Sequence, residues 1–314
     1  MHLFRKCVII PYENNYSFSE RPIPMQNYLI LLAASVLLAG DFAIQKVYQQ
    51  KTGTGIIAGL SFNAILGIVT AVLFFILNGF RLDISLYCII ISTLMSISTF
   101  TYTIIGFRLL RYGNIALYSL FSLMGAIVVP YVFGIAFLDE KSTLLMFIGV
   151  VLIVAATVLT NLSKDKSRLI QLILCVSVFL LNGIGAVISK LCQVNFGYGI
   201  VGVNDFVCMT GITKFVICGI TLLVYRGVRK DRDEKNISLK AVPWIVYSAV
   251  VGGISYMLQL IGAARLPASV LFPMVSGASM ILTAMAGVIF FKDKLTKWQI
   301  IVICVCFVGT LLLM

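Results

Sequence analysis

Two similar stretches decide the fold: GIAFLDEKSTLLMFIGVVLIVAATVL at residues 134–159 and GVIFFKDKLTKWQIIVICVCFVGTLL at residues 287–312, the second of which repeats the first. Each stretch runs from an apolar segment through a short turn of acidic and basic residues into a second apolar segment. Glu140 of the first turn aligns with Asp293 of the second. Internal similarity of this kind is typical of membrane transporters that are built from two related halves.

The composition places the chain in a membrane. Hydrophobic residues make up 60% of the 314 residues and charged residues only 11%, and the mean hydropathy is +1.04. A bilayer core needs about 20 apolar residues per helix, and the continuous apolar runs favour helices over the alternating strands of a membrane barrel. We therefore expect a multi-pass protein of the cell membrane. The ten predicted spans are 26–48, 56–78, 85–106, 114–137, 143–160, 169–191, 204–225, 242–263, 267–291 and 297–314.

The spans divide into two halves. Residues 1–24 read as a polar tail, residues 25–161 as the first half and residues 169–314 as the second; Met25, just before the first span, is a candidate start. Five spans per half is an odd number, so equivalent positions fall on opposite faces of the membrane. The predicted fold is an all-α polytopic membrane protein with ten transmembrane helices arranged as two inverted five-helix repeats.

Two further matches support the repeat. FNAILG at residues 62–67 aligns with FVCMTG at residues 206–211. GDFAIQKVYQ at residues 40–49 aligns with GIGAVISKLCQ at residues 183–193 when one extra residue is allowed. The halves are therefore similar along most of their length.

Several classes of function are disfavoured by what the chain carries. The net charge of +12 comes from basic residues near span ends, which anchor helices, so no nucleic-acid partner is expected. The single histidine, His2, and cysteines that lie mainly inside apolar runs argue against a metal site. The sequence shows no phosphate-binding glycine loop and no catalytic acid and base. We expect neither enzymatic activity nor a cofactor.

Asp41 is the strongest candidate for a binding residue. It lies slightly past the middle of the first span, and an ionised group at that depth costs about 3 kcal/mol unless it faces a cavity or a partner. One hypothesis is a site that binds a cationic group or takes up a proton. The alternative is a structural role, in which Asp41 is hydrogen-bonded to a neighbouring helix or to Lys46.

Other polar residues at depth could complete a central site. Lys214 lies near the middle of the seventh span, where it could bind an anionic group, pair with Asp41, or simply extend toward water. Asn182 corresponds to Ala39 in the repeat, close to Asp41. Tyrosines and amides could line the cavity or merely join helices. The remaining candidates are Tyr102, Tyr118, Tyr256 and Gln259, and Pro130 and Pro273 are candidate hinges, with ordinary helix bends as their alternative.

Three stretches resemble the drug/metabolite transporter superfamily, and specifically its EamA-like branch of ten-helix carriers. The turns LDEKST and KDKLT are similar to the acidic-basic turn of that branch. The stretch RYGNIALYSLFSLMGAIV at residues 111–128 resembles the loop and fourth helix of the superfamily, and LLAGDFAIQK is similar to the first-helix pattern. The sequence departs from the branch where a proline often precedes the turn: Ile127 and Met280 occupy those places.

The resemblance implies a secondary transporter, and more specifically an exporter, of a small organic metabolite or drug-like compound. A proton-coupled exporter of organic cations and a non-transporting membrane scaffold or sensor are the alternatives. The expected partners are a small-molecule substrate and lipid, and a homodimer stays open. Orientation also stays open, because the resemblance implies cytoplasmic termini whereas the basic residues are more numerous on the face opposite the N-terminal tail.

Overall fold

The computed structural model of the chain describes residues 25–53, 55–111, 115–138, 140, 143–159, 166–194, 201–228, 239–292 and 297–312, and its regular elements there are all helices. Each predicted span overlaps one of ten α-helices, so the prediction of an all-α fold with ten helices is confirmed within the described residues. A short 3-10 turn, Leu239–Ala241, precedes the eighth helix. The helices are α1 Met25–Thr52, α2 Ile56–Leu77, α3 Leu86–Arg111, α4 Ile115–Phe137, α5 Leu144–Leu159, α6 Lys166–Leu191, α7 Val203–Val228, α8 Val242–Arg265, α9 Ala268–Phe291 and α10 Lys297–Leu312.

Seven of these helices, α1, α2, α3, α6, α7, α8 and α9, are long and apolar enough to cross a membrane within the described residues. Helix α4 contributes a shorter apolar segment, Phe121–Phe137. Helices α5 and α10 have 16 described residues each, which corresponds to roughly 24 Å at 1.5 Å per residue. The predicted polar tail, residues 1–24, lies outside the described residues.

Glycine ends the first two helices. Gly53 and Gly79 have positive φ angles of 84° and 69°, a backbone conformation that glycine adopts without the steric cost of a Cβ. The Gly53 amide donates to the carbonyl of Gln49 at 2.8 Å, and the Gly79 amide donates to that of Ile76 at 3.0 Å. These bonds satisfy the last carbonyls of each helix and turn the chain into the next one.

Helices α1 and α8 pack antiparallel. The Ser255 hydroxyl donates to the Ala34 carbonyl at 2.8 Å, and Arg265, the last residue of α8, donates to the Asn27 side chain at 3.3 Å. The end of α8 thus lies beside the beginning of α1. We call the end of the bundle where α1 begins the proximal end, and the opposite one the distal end.

Helices α2 and α7 also run antiparallel, and they cross at very short range. Near the proximal end, Asn78 donates to Asp205 at 2.7 Å. Further along, the Cys208 thiol donates to the Ala71 carbonyl at 3.3 Å. At the crossing a Cβ on Gly67 would lie only 2.7 Å from the backbone oxygen of Gly211. Glycine on both helices is what allows the backbones to touch.

The same antiparallel arrangement joins α3 to α6. The Tyr87 hydroxyl donates to the Leu191 carbonyl at 3.2 Å, and the Ser98 hydroxyl donates to the Leu181 carbonyl at 3.0 Å. Helix α4 packs against α6 and α9, α9 also packs against α1, and α5 pairs with α10. Large apolar side chains such as Leu29 and Leu32 cover the outside of the bundle, as expected for a surface that faces lipid.

Candidate functional site

Asp41 lies at the contact between α1 and α8. Its side chain is 8% exposed. One carboxylate oxygen accepts a hydrogen bond from the Ser248 hydroxyl of α8, and the other accepts from the Gln45 amide at 2.8 Å. Gln45 lies one helical turn after Asp41 on α1, so its side chain shares the same face. The carboxylate is therefore held by its own helix and by a helix from the other half of the chain.

A glycine on α8 provides the space for this carboxylate. A Cβ at Gly252 would lie 2.9 Å from Cγ and 2.9 Å from Oδ2 of Asp41, well inside an ordinary contact. Ser248 and Gly252 are four residues apart and therefore lie on the same face of α8. The sequence pattern had pointed to neither residue, since their role depends on which helices pack together.

Lys214 supplies the opposite charge near Asp41. It lies near the middle of α7, and its ammonium group interacts electrostatically with the Asp41 carboxylate. The direct partners of the carboxylate are Ser248 and Gln45. The site thus holds one negative and one positive side chain within electrostatic range, close to mid-depth of their helices. Asp41 accepts its hydrogen bonds from Ser248 and Gln45 rather than from Lys46, whose ammonium group lies 4.4 Å from the centre of the Phe291 ring.

A buried hydroxyl on α2 borders the same region. Thr70 is 8% exposed, and within the described structure its hydroxyl oxygen has no hydrogen-bond partner. Its methyl carbon would contact a Cβ placed on Gly253, the residue after Gly252. A buried polar group without a partner carries a desolvation cost, and in the sequence repeat Thr70 corresponds to Lys214. The repeat marks Thr70 as the counterpart of Lys214, but a threonine in a membrane helix gave no reason by itself to predict a site residue.

Asn182 belongs to a second cluster between α6, α3 and α4. Its amide donates to the Ser122 carbonyl at 2.7 Å and to the Ser122 hydroxyl at 3.0 Å. The Tyr102 hydroxyl is 2.8 Å from the same Ser122 hydroxyl. Two of the predicted site residues therefore meet, and Ser122 is the residue that joins them. Tyr118 lies on α4, but its side chain is outside the described residues.

Tyr256 and Gln259 lie on α8 on the proximal side of Asp41's partners. The Tyr256 hydroxyl is 2.7 Å from the Ser189 hydroxyl of α6. The Gln259 amide donates to the Ser255 hydroxyl at 3.2 Å. The Tyr256 bond joins α8 to α6, whereas the Gln259 bond lies within α8, and both side chains are half-buried. Among the described residues the candidates thus form four separate hydrogen-bonded groups, and of these the Asp41 group holds a charged side chain.

The candidate hinges lie where the two halves meet. Pro130 is inside α4 and Pro273 is inside α9, both are buried, and these two helices pack against each other.

A groove of about 520 Å³ lies elsewhere, between α3, α4 and α6, and its lining is almost wholly apolar. That groove opens on the outside of the bundle, away from Asp41, so it is not the predicted polar cavity.

Comparison with known proteins identifies the second half of the chain. Residues 169–314 match the sequence profile of the EamA-like transporter family. One solved crystal structure superposes with a TM-score of 0.66 at 12% sequence identity, over 92% of this chain and 96% of its own, a likeness that shows the fold alone. Among curated proteins none matches. The sequence resemblance is thereby confirmed for residues 169–314, which match the EamA-like transporter family of the drug/metabolite transporter superfamily, and this match together with the seven long apolar helices identifies a multi-pass integral membrane protein.

Proposed function

We propose that the protein is a secondary transporter of the cell membrane that moves a small organic metabolite or drug-like compound by alternating access. The observation that carries the proposal is the Asp41 carboxylate, buried near mid-depth and held between the two halves by Ser248. Ionisable residues at that depth are commonly part of substrate or ion pathways. Family membership supports a transporter, and the export direction rests on the resemblance.

The helix pairings support two inverted repeats. If α1 to α5 correspond to α6 to α10, the α1–α8 pair becomes the α6–α3 pair, and the α4–α6 pair becomes the α9–α1 pair. All four pairings occur, and the first two are antiparallel. The pairs α2–α7, α4–α9 and α5–α10 map onto themselves, as pairs on a two-fold axis must. An axis of this kind in the membrane plane makes the two faces equivalent.

The α2–α7 crossing supports the same axis at atomic scale. A Cβ on Gly67 would lie 2.7 Å from the Gly211 oxygen and 2.9 Å from the Phe215 nitrogen. A Cβ on Gly211 would lie 2.7 Å from the Gly67 oxygen and 2.9 Å from the Ala71 nitrogen. The repeat aligns Gly67 with Gly211 and Ala71 with Phe215, so each contact has its counterpart at the same distance.

The Asp41 site draws on both halves, which is what alternating access requires. Asp41 and Gln45 come from the first half, whereas Ser248 and Lys214 come from the second. Rocking one half against the other would change the separation between Asp41 and Ser248. A substrate that replaces these contacts would stabilise the intermediate arrangement, and the charged pair suits a polar organic molecule.

The test is transport by the purified protein in lipid vesicles, first with a panel of metabolites and drug-like compounds and then with variants. Asp41→Asn should abolish transport while the protein still elutes as a single folded species. Asp83→Asn is the matched control, because Asp83 is an exposed carboxylate on the loop between α2 and α3, and it should leave transport unchanged. Wild-type transport by the Asp41 variant would remove this residue from the mechanism.

A second candidate is a proton-coupled exporter of organic cations, and the buried carboxylate favours it specifically. A buried carboxylate whose direct hydrogen-bond partners are neutral can bind either a proton or a cation on the same atoms. The rate of transport would then depend on the pH difference across the vesicle membrane, and each substrate that binds would displace a proton from Asp41. If no compound of a broad panel crosses the membrane, a scaffold or sensor role is the better account.

A further inference from the structure

The turn between α8 and α9 is held from two sides at the proximal end. The Lys190 ammonium at the end of α6 donates to the Ala263 carbonyl at 2.8 Å and to the Leu266 carbonyl at 2.6 Å. Lys190 is only 2% exposed. Cations are favoured at the C-terminal end of a helix, where carbonyls lack partners, so Lys190 caps α8.

Glu140 holds the other side of this turn. It lies after α4, in the first half of the chain, and its carboxylate accepts from the Ala268 amide at 2.7 Å and from the Ser269 amide at 3.0 Å. These amides open α9, so Glu140 caps the start of that helix. Glu140 also interacts electrostatically with Lys190. One short turn is thus bound by an acid from the first half and a base from the second.

The carboxylate fits its place because residue 134 is glycine. A Cβ on Gly134 would lie 2.6 Å from Oε2 and 2.8 Å from Cδ of Glu140. The Glu140 amide additionally donates to the Gly134 carbonyl at 3.1 Å. The acidic turn that recurs in the sequence therefore has a defined task at this end of the bundle.

Apolar packing closes the same end. Leu31 of α1, Leu266 of the turn and Leu271 of α9 belong to one buried cluster, and each is at most 1% exposed. A Cβ on Gly262 would lie 2.7 Å from Leu271 and 2.8 Å from Leu31. A path to the proximal face along these helices requires the turn to move away from α1.

We propose that Glu140 and Lys190 form a latch that keeps the proximal end closed in this conformation and releases during each transport cycle. The proposal rests on alternating access as the proposed function. In the sequence repeat Lys46 corresponds to Lys190 and Asp293 to Glu140. The inverted relation therefore gives Lys46 the equivalent role at the distal end, where it would act when that end is closed.

The test measures how fast a membrane-impermeant thiol reagent reaches a cysteine placed at Gln259, which lies on α8 between its middle and the proximal end. Inside-out and right-side-out vesicles give the rate from each face, and the protein without the added cysteine gives the background. Lys190→Met and Glu140→Gln should each raise labelling from the proximal face about tenfold, because losing charge-assisted hydrogen bonds shifts a two-state equilibrium by at least that ratio.

Two further variants sharpen the result. Gly134→Ala should raise labelling in the same direction without removing any charge, because it displaces the Glu140 carboxylate. Lys46→Met should weaken the conformation in which the distal end is closed. It should therefore favour the conformation with a closed proximal end and slow labelling from the proximal face. Lys292→Met is the control, since Lys292 is an exposed lysine after α9, and it should label like the parent.

The proposal is overturned if Lys190→Met and Glu140→Gln label at the parent rate while remaining folded, or if Lys46→Met changes the rate in the same direction as Lys190→Met. Glu140→Gln keeps the side-chain length and one acceptor oxygen, so it carries the test if the lysine variant does not fold. The labelling readout needs no substrate. If Asp41→Asn transports like the wild type while the Lys190 and Glu140 variants label faster, the result would reject Asp41 as the binding site and still support the latch.

Discussion

Replacing either glycine of the α2–α7 crossing with alanine should destabilise the protein, and by the same amount. In Gly67→Ala the new methyl group would meet the Gly211 oxygen at 2.7 Å, and in Gly211→Ala it would meet the Gly67 oxygen at 2.7 Å. Ordinary contacts begin at about 3.4 Å, so both helices must move apart by several tenths of an ångström. Overpacking of this kind costs about 1–3 kcal/mol.

A third glycine separates this clash from the general effect of alanine on a helix. Gly219 also lies on α7, and a Cβ there would meet nothing within 4 Å. Gly219→Ala should therefore gain only the helix preference of alanine, which is about 1 kcal/mol. The three variants differ by one methyl group each, and two of them lie on the same helix.

The assay is thermal unfolding of the detergent-solubilised protein, followed by the loss of the folded peak in size-exclusion chromatography. Gly67→Ala and Gly211→Ala should lower the midpoint by a few degrees and by closely similar amounts, whereas Gly219→Ala should leave it unchanged or raise it. Equal midpoints for all three variants would refute the close crossing. A large drop for one crossing glycine and none for the other would refute its two-fold symmetry.

The remaining predictions concern the polar groups around the site. Gly252→Ala should push the Asp41 carboxylate out of its place and abolish transport while the protein stays folded, and unchanged transport would contradict the fit. Ser122→Ala removes both side-chain hydroxyl contacts that join Tyr102 and Asn182, so it should lower the free energy of unfolding by about 1–3 kcal/mol; an unchanged unfolding midpoint would contradict this. Asp205→Ala removes the acceptor of the Asn78 amide and should speed hydrogen exchange in the loop after α2, whereas unaltered exchange would show that this bond does not order the loop.

The helices could be predicted from the sequence because their signal is local. Continuous apolar runs of about 20 residues and short polar breaks define where each helix begins and ends, and glycines such as Gly53 and Gly79 mark two of the turns. The repeat was visible for a similar reason, since aligned stretches keep their residue types. The resemblance to the EamA-like family followed from these two features together with three short motifs, and residues 169–314 match the family profile.

The partners of the charged residues were not predictable from the sequence. Asp41 was found because a carboxylate in an apolar run is rare, and Gln45 could have been found as its neighbour one helical turn later. Ser248 and Gly252 could not, because only the packing of α1 against α8 brings them to Asp41. Small and hydroxyl residues are common in membrane helices, so their type carries no signal by itself.

Glu140 shows the same limit in a different way. The repeat marked its turn as a recurring feature, but the turn alone gave no reason for an acidic residue. The reason lies in α9, whose first amides need an acceptor, and in Lys190, which was noticed only as part of an aligned stretch. Both become meaningful once the ends of α6, α8 and α9 are seen to meet.

Membrane topology is the most direct test of the central claim, that two inverted halves share one site. Reporter fusions placed after Leu138 at the end of α4 and after Lys292 at the end of α9 would compare equivalent positions of the two halves. The account predicts that the two reporters lie on opposite faces of the membrane. Reporters on the same face would contradict it.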